Sequence, residues 1–77
     1  MNWQERINVD PDICHGRPCI RGTRVMVSVI LDNLAAGEAT EAIVHGYNVE
    51  EIDIRAALQY AADLGRDRVV VVPARDA

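Results

Sequence analysis

Apolar residues recur at helical spacing in the middle of the chain, which predicts a first helix there. One face of this helix is formed by Val27, Ile30, Leu31 and Leu34. Ser28 is its predicted N-cap, and Gly37 is its predicted C-terminal stop.

Two further helices are predicted downstream of Gly37. The second covers residues 40–45 and is followed by a short turn. Asn48 followed by Glu51 fits a capping box, which predicts a third helix over residues 49–64. Gly65 is predicted to end this helix. Its apolar stripe consists of Ile54, Ala57, Leu58, Ala61 and Leu64.

Both ends of the chain contain strand-like segments. A first strand is predicted over residues 3–9, whose apolar residues share one face at a period of two, and residues 16–25 form a second extended segment that Pro18 restricts to an edge or irregular strand. The shared face of the first strand consists of Trp3, Ile7 and Val9. A C-terminal strand is predicted at Val69, Val70, Val71 and Val72. Because this strand is apolar on both faces, it has to pair with the N-terminal strand, a second copy or a partner.

The element order predicts a mostly α, trihelical helix-turn-helix fold flanked by strands. We expect a helix-turn-helix domain over residues 1–65 and a C-terminal strand or tail over residues 66–77. A chain of 77 residues builds a marginal core, so a homodimer or another partner is the expected source of additional stability.

Composition and charge narrow the class of partner. Residues 1–31 contain four arginines and three acids, a net charge of +1, whereas residues 32–77 contain four arginines and nine acids, a net charge of −5. An overall charge of −4 disfavours general nucleic-acid binding. Two cysteines, a polar N-terminus and short apolar runs predict a cytoplasmic protein that has no signal peptide and does not enter the membrane.

The string GRPCIRGTRV at residues 16–25 resembles the signature of a small prokaryotic domain family of formerly unknown function, whose members are regarded as VapB-type antitoxins paired with PIN-like ribonuclease toxins. Further similarities are Trp3, Arg6, Asp10-Pro11, the helix end at residues 30–37, and DIRAALQYA at residues 53–61. The chain departs from the family at Ala39-Thr40, where Ser-Pro is usual, and in a shorter turn at residues 47–49 that lacks Tyr-Pro.

The resemblance implies a homeodomain-like three-helix fold with an N-terminal hairpin, which is dimeric. It also implies a PIN-like ribonuclease toxin as partner, and binding to operator DNA to repress the protein's own operon. The shorter turn changes how the third helix is aimed at DNA.

Three arginines around one predicted turn are the main candidate site. Arg17, Arg21 and Arg24 surround Gly22-Thr23, and guanidinium groups bind carboxylates and phosphates in a bidentate manner. They can pair with the chain's own acids, contact a partner protein or contact nucleic-acid phosphate. We assign Arg17, Arg21, Thr23 and Arg24 to partner or phosphate contact.

Metal binding and catalysis are disfavoured by spacing. The possible ligands Cys14, His15, Cys19 and His45 lack the paired spacing of zinc sites. Cys14 and His15 point to opposite faces of an extended chain, and Glu50-Glu51 fits the acidic start of a helix. We therefore expect no catalytic residue, no metal, no cofactor and no small-molecule substrate.

Two residues of the third helix, Arg55 and Gln59, share a face and are the possible DNA contacts.

The leading hypothesis is a non-catalytic antitoxin-type adaptor that neutralises a PIN-like ribonuclease through its arginines, either those at the turn or Arg66, Arg68 and Arg75 in the tail. The valine strand adds to the toxin's sheet in this hypothesis. The alternatives are a DNA-binding repressor and a structural dimerisation module.

Overall fold

A short antiparallel hairpin opens the fold. In the computed structural model, which describes residues 2–67, β1 (Ile7–Asn8) pairs with β2 (Cys19–Ile20). Ile7 lies opposite Ile20, and both side chains are buried. The hairpin predicted from the family resemblance is therefore confirmed, although its strands are only two residues long.

The strand predicted over residues 3–9 is wrong except at Ile7–Asn8. Trp3–Glu5 forms a 3₁₀ turn, because the side chain of Asn2 accepts a hydrogen bond from the turn's backbone and the Arg6 amide donates to the Trp3 carbonyl. Val9 is 60% exposed and lies off the core face. The extended segment predicted over residues 16–25 likewise shortens to β2, and a second 3₁₀ turn at Cys14–Gly16 precedes it.

The first helix is α1 (Val27–Ala35), and no side chain of its N-cap residue forms a capping hydrogen bond. Met26 is the N-cap residue, so the prediction of Ser28 as the cap is wrong, since Ser28 lies inside the first turn. Gly37 has φ +88°, which L side chains rarely adopt, and its amide donates to the Leu34 carbonyl at 3.0 Å. The predicted stop at Gly37 is confirmed.

The second helix, α2 (Thr40–Tyr47), extends beyond the predicted residues 40–45. Asn48 closes it in the left-handed conformation, with φ 55° and ψ 47°. The predicted capping box is therefore wrong, because Asn48 ends α2 instead of starting the next helix. The Val49 amide donates to the Val44 carbonyl at 3.2 Å and completes this helix end.

The third helix, α3 (Glu51–Asp67), is the longest element. At its start the Asp53 carboxylate accepts a hydrogen bond from the Glu50 amide at 2.9 Å, so the observed side-chain contact at this helix end lies two residues after the predicted Asn48–Glu51 pair. The predicted end at Gly65 is wrong: the helix passes through this glycine, which has ample space around it.

The core lies where the hairpin meets all three helices. Its buried members are Ile7, Ile20, Val27, Ile30, Ile43, Val49, Ile54, Ala56 and Ala57. From α3 the core receives the consecutive alanines, whereas Leu58 is 49% exposed and Leu64 is 37% exposed. The predicted α3 stripe is thus correct for Ile54 and Ala57 and wrong for both leucines.

The chain is mostly helical with a short N-terminal antiparallel hairpin. The predicted strand at Val69, Val70, Val71 and Val72, and nearly all of the predicted tail over residues 66–77, lie outside the described residues. Within residues 2–67, no helix combines the length and apolarity needed to cross a bilayer.

Candidate partner-binding surface around the arginine turn

The turn between β2 and α1 is held by its own threonine. The Thr23 hydroxyl donates to the Ile20 carbonyl at 2.8 Å and accepts from the Val25 amide at 3.0 Å. Gly22 takes φ +80°, a conformation that strongly favours glycine. Because the Thr23 hydroxyl both donates and accepts inside the turn, Thr23 shapes the site.

Arg21 connects this turn to the N-terminus. Its guanidinium group donates to the carbonyl oxygens of Glu5 and Gln4, both at 3.1 Å, and to that of Ile7 at 3.5 Å. One alternative was that the three arginines pair with the chain's own acids. Within residues 2–67, Arg21 instead bonds backbone carbonyls. Arg21 therefore orients the turn for its neighbours.

Arg17 and Arg24 are exposed, and neither forms a side-chain hydrogen bond or an ion pair within residues 2–67. Arg24 borders a surface depression of about 580 Å³, together with Ile13, Gly22 and Thr23. Arg17 borders another of about 250 Å³, whose other lining residues are Pro18, Val27, Ser28, Leu31, Tyr60 and Leu64. The turn therefore presents two charged groups beside concave surface.

Two of the chain's acids, Glu50 and Asp53, bind Arg6 and not the arginines of the turn. Arg6 contacts Glu50 at 2.6 Å and Asp53 at 2.9 Å. The hydrogen bonds that Arg6 donates to Glu50, and then to Asp53, raise the pKa of its guanidinium group. The Asp53 side chain is only 4% exposed, so this contact fastens the N-terminus to the start of α3.

The outer face of α3 carries mixed chemistry. Arg55 is exposed and lies 3.4 Å from Glu51, one turn earlier, and Gln59 is exposed one turn later. Ile52 and Leu58 are also exposed, at 39% and 49%. The two predicted DNA contacts therefore share a surface with an acid and two apolar side chains.

The four sulfur and imidazole groups considered as metal ligands do not converge. Within the described part of the chain, no three His, Cys, Asp or Glu side chains are placed to hold a metal ion. His45 lies on α2 beside Glu41 and Glu51. The Cys14 thiol donates to the Arg24 carbonyl at 3.3 Å, so its partner is a backbone group.

Residues 7–61 match the family model described as "Protein of unknown function (DUF433)". The chain belongs to the DUF433 family. The matched region contains the hairpin, α1, α2 and the first two-thirds of α3, and hence every arginine of the turn. No curated protein matches the chain.

This DUF433 chain is also similar to a solved structure, the X-ray crystal structure of Rv2018 from Mycobacterium tuberculosis. The TM-score is 0.66 and the sequence identity is 29%. The match covers 74% of this chain and 27% of that one, so the chain spans about a quarter of the length of Rv2018. The likeness supports the fold described above.

The N-terminal contacts of this DUF433 chain begin outside the matched region. Trp3 donates its indole N–H to Asp63 at 2.5 Å and packs edge-on against Tyr60, with ring centroids 5.1 Å apart. Sequence reasoning placed Trp3 on a strand face and noted Trp3 and Arg6 as points of family resemblance. Their partners lie 44 to 60 residues away, so no local spacing could have revealed them.

Proposed function

We propose that this DUF433 domain is a non-catalytic antitoxin-type adaptor, which binds and neutralises a PIN-like ribonuclease toxin in the cytoplasm as a homodimer. The observation that carries the proposal is the availability of Arg17 and Arg24, which are exposed and not ion-paired within residues 2–67. The family resemblance of residues 16–25 supplies the class of partner.

The chemistry of these arginines suits an acidic nuclease site. The active site of a PIN-like ribonuclease is rich in carboxylates that bind metal, and a guanidinium group can occupy the charge space of that metal in a bidentate contact. Arg21 is held by three backbone carbonyls and positions the turn, so Arg17 and Arg24 carry the contacts. The apolar lining next to Arg17 supplies surface for desolvated packing.

The test is affinity purification of the tagged chain from its native host, followed by binding measurements with the purified ribonuclease. A stoichiometric small protein with a PIN-like acidic quartet supports the proposal. Arg17→Ala and Arg24→Ala should each raise the Kd about tenfold and weaken inhibition of the ribonuclease. Arg55→Ala is the matched control, since it removes an exposed arginine from α3 and should leave the Kd unchanged. A bare homodimer, or equal effects of all three variants, would contradict the proposal.

The C-terminal segment is a second candidate for toxin contact. The proposal gives Val69, Val70, Val71 and Val72 the role of a strand added to the toxin's sheet, with Arg68 and Arg75 beside it. Arg66 belongs to α3, where it lies 2.5 Å from Asp63, so a deletion should begin at residue 68. Unchanged neutralisation by a chain that ends at Asp67 would remove the tail from the proposal.

A DNA-binding repressor is the alternative, and one feature favours it. Only residues 48–50 separate α2 from α3, and α3 exposes Arg55 and Gln59 at a spacing of four, as expected if α2 and α3 form a helix-turn-helix. The net charge of −4 and the pairing of Arg55 with Glu51 oppose phosphate binding. A gel shift with the chain's own promoter, at low and at physiological salt, tests whether the domain binds DNA. A specific complex should weaken as salt rises, and the absence of any shift excludes the repressor.

A further inference from the structure

Two thiols lie side by side next to the arginine turn. Cys14 donates its S–H to the Arg24 carbonyl at 3.3 Å, and Cys19 donates to the Thr23 carbonyl at 3.7 Å. These acceptors belong to consecutive residues of the turn. The four residues between the two cysteines therefore return one thiol to the neighbourhood of the other.

The backbone at Cys14 is unusual and brings the thiol to this place. Cys14 and His15 both have positive φ, at 52° and 55°, and Gly16 follows at 77°. Non-glycine residues adopt this region infrequently, and two in succession require local support. That support comes from the amides of Gly16 and Arg17, which donate to the carbonyls of Ile13 and Cys14.

The two thiols differ in access. Cys14 is half-buried, whereas Cys19 is 1% exposed in β2. Burial raises the pKa of the Cys19 thiol, the hydrogen bond with Cys14 and the charges of Cys14 and Asp10 raise it further, and Arg24 lowers it. Cys14 is therefore the thiol that a reagent in solution can reach first.

We propose that Cys14 and Cys19 are a reactive dithiol, which closes to an intramolecular disulfide by exchange with a low-molecular-weight disulfide such as oxidised glutathione. The Cys14 thiolate attacks one glutathione sulfur, and a mixed disulfide forms as the first glutathione leaves. The Cys19 thiolate then attacks the Cys14 sulfur and displaces the second glutathione. The chain loses two protons and two electrons, and one glutathione disulfide is reduced to two glutathione thiols.

The new bond alters the arginine turn. The disulfide removes both S–H donors, so the carbonyls of Thr23 and Arg24 lose these hydrogen bonds. It also links the strained segment at Cys14 to β2 by a covalent bond. This inference concerns the thiols alone and stands whether or not the domain binds a toxin.

The test is to incubate the reduced full chain with oxidised glutathione near pH 8, about the pH at which a free thiol begins to ionise. The chain is then alkylated in acid, digested with trypsin and analysed by mass spectrometry. Both cysteines fall in the peptide of residues 7–21, because trypsin does not cleave between Arg17 and Pro18. We expect this peptide to lose the mass of two hydrogen atoms and to resist alkylation.

Two single variants separate the steps. Cys19→Ser should stop at the mixed disulfide on Cys14, and Cys19→Ala serves if the serine variant does not fold. Cys14→Ser should leave Cys19 free, because Cys19 is shielded. Two unmodified thiols in the natural chain, a stable glutathione adduct on it, or a disulfide between two chains would each overturn the proposal.

Discussion

Asp53 is the residue on which the start of α3 depends. One carboxylate oxygen accepts from Arg6 at 2.9 Å, and the other accepts from the Glu50 amide at 2.9 Å. The residue is 3% exposed, so both contacts are shielded from water. Asp53 thus satisfies a helix-end amide and neutralises an arginine from the other end of the sequence.

Asp53→Ala should lower the free energy of unfolding by about 2 kcal/mol, because it leaves both the amide and Arg6 without their buried acceptor. Urea denaturation monitored by circular dichroism measures the change. Glu50→Ala is the matched control: Glu50 contacts the same arginine, but its side chain is 74% exposed, so its loss should have a smaller effect. Equal losses in the two variants would contradict this account.

The helix ends show which elements local sequence can predict. Gly37 and the spacing of Val27 and Ile30 signalled α1 correctly, because a left-handed glycine and a repeating apolar face are local properties. Asn48 was assigned to the wrong helix, since asparagine suits both an N-cap and a left-handed C-terminal residue. Asn48 ends α2 in the structure, and the side-chain hydrogen bond at the start of α3 comes from Asp53, which accepts from the Glu50 amide.

Two glycines of opposite conformation provide a test at this scale. Gly37→Ala should destabilise the fold by about 1 kcal/mol, because alanine at φ +88° is strained. Gly65→Ala should stabilise it by up to about 1 kcal/mol, because Gly65 lies inside α3 with nothing within 4 Å of an added Cβ. Thermal unfolding of both variants measures the pair, and a destabilised Gly65→Ala would mean that α3 ends at Gly65.

At the scale of the whole molecule, the N-terminus clamps α3 at both ends. Arg6 holds its start through Glu50 and Asp53, and Trp3 holds its second half through Asp63 and Tyr60. Sequence reasoning could not find this clamp, because contacts between residues 44 to 60 positions apart leave no periodic signal. The same distance hid the pairing of Arg6 with Glu50 and Asp53 from sequence reasoning, which considered the chain's acids as possible partners of Arg17, Arg21 and Arg24.

The contact between Trp3 and Asp63 makes the free energy of unfolding depend on pH in the acidic range. The hydrogen bond from Trp3, and then that from Arg66, hold the pKa of Asp63 below its usual range. Below the ordinary aspartate pKa of about 3.9, the unfolded chain binds a proton that the folded chain does not, so stability falls as pH drops and this contribution is lost below the folded-state pKa. Urea midpoints measured between about pH 7 and 2.5 should fall less steeply for Asp63→Asn. An unchanged slope for Asp63→Asn would contradict this account.

Trp3 is the chain's sole tryptophan, and its position makes the protein its own optical reporter. The indole lies against Tyr60 and bonds Asp63, so excitation energy absorbed by that tyrosine passes to the indole most efficiently while the N-terminal turn is docked on α3. Release of the turn would shift tryptophan emission to longer wavelength and weaken this transfer, even if the helices remained folded. Docking of the N-terminus and melting of the helices can therefore be followed as separate events in an unlabelled protein.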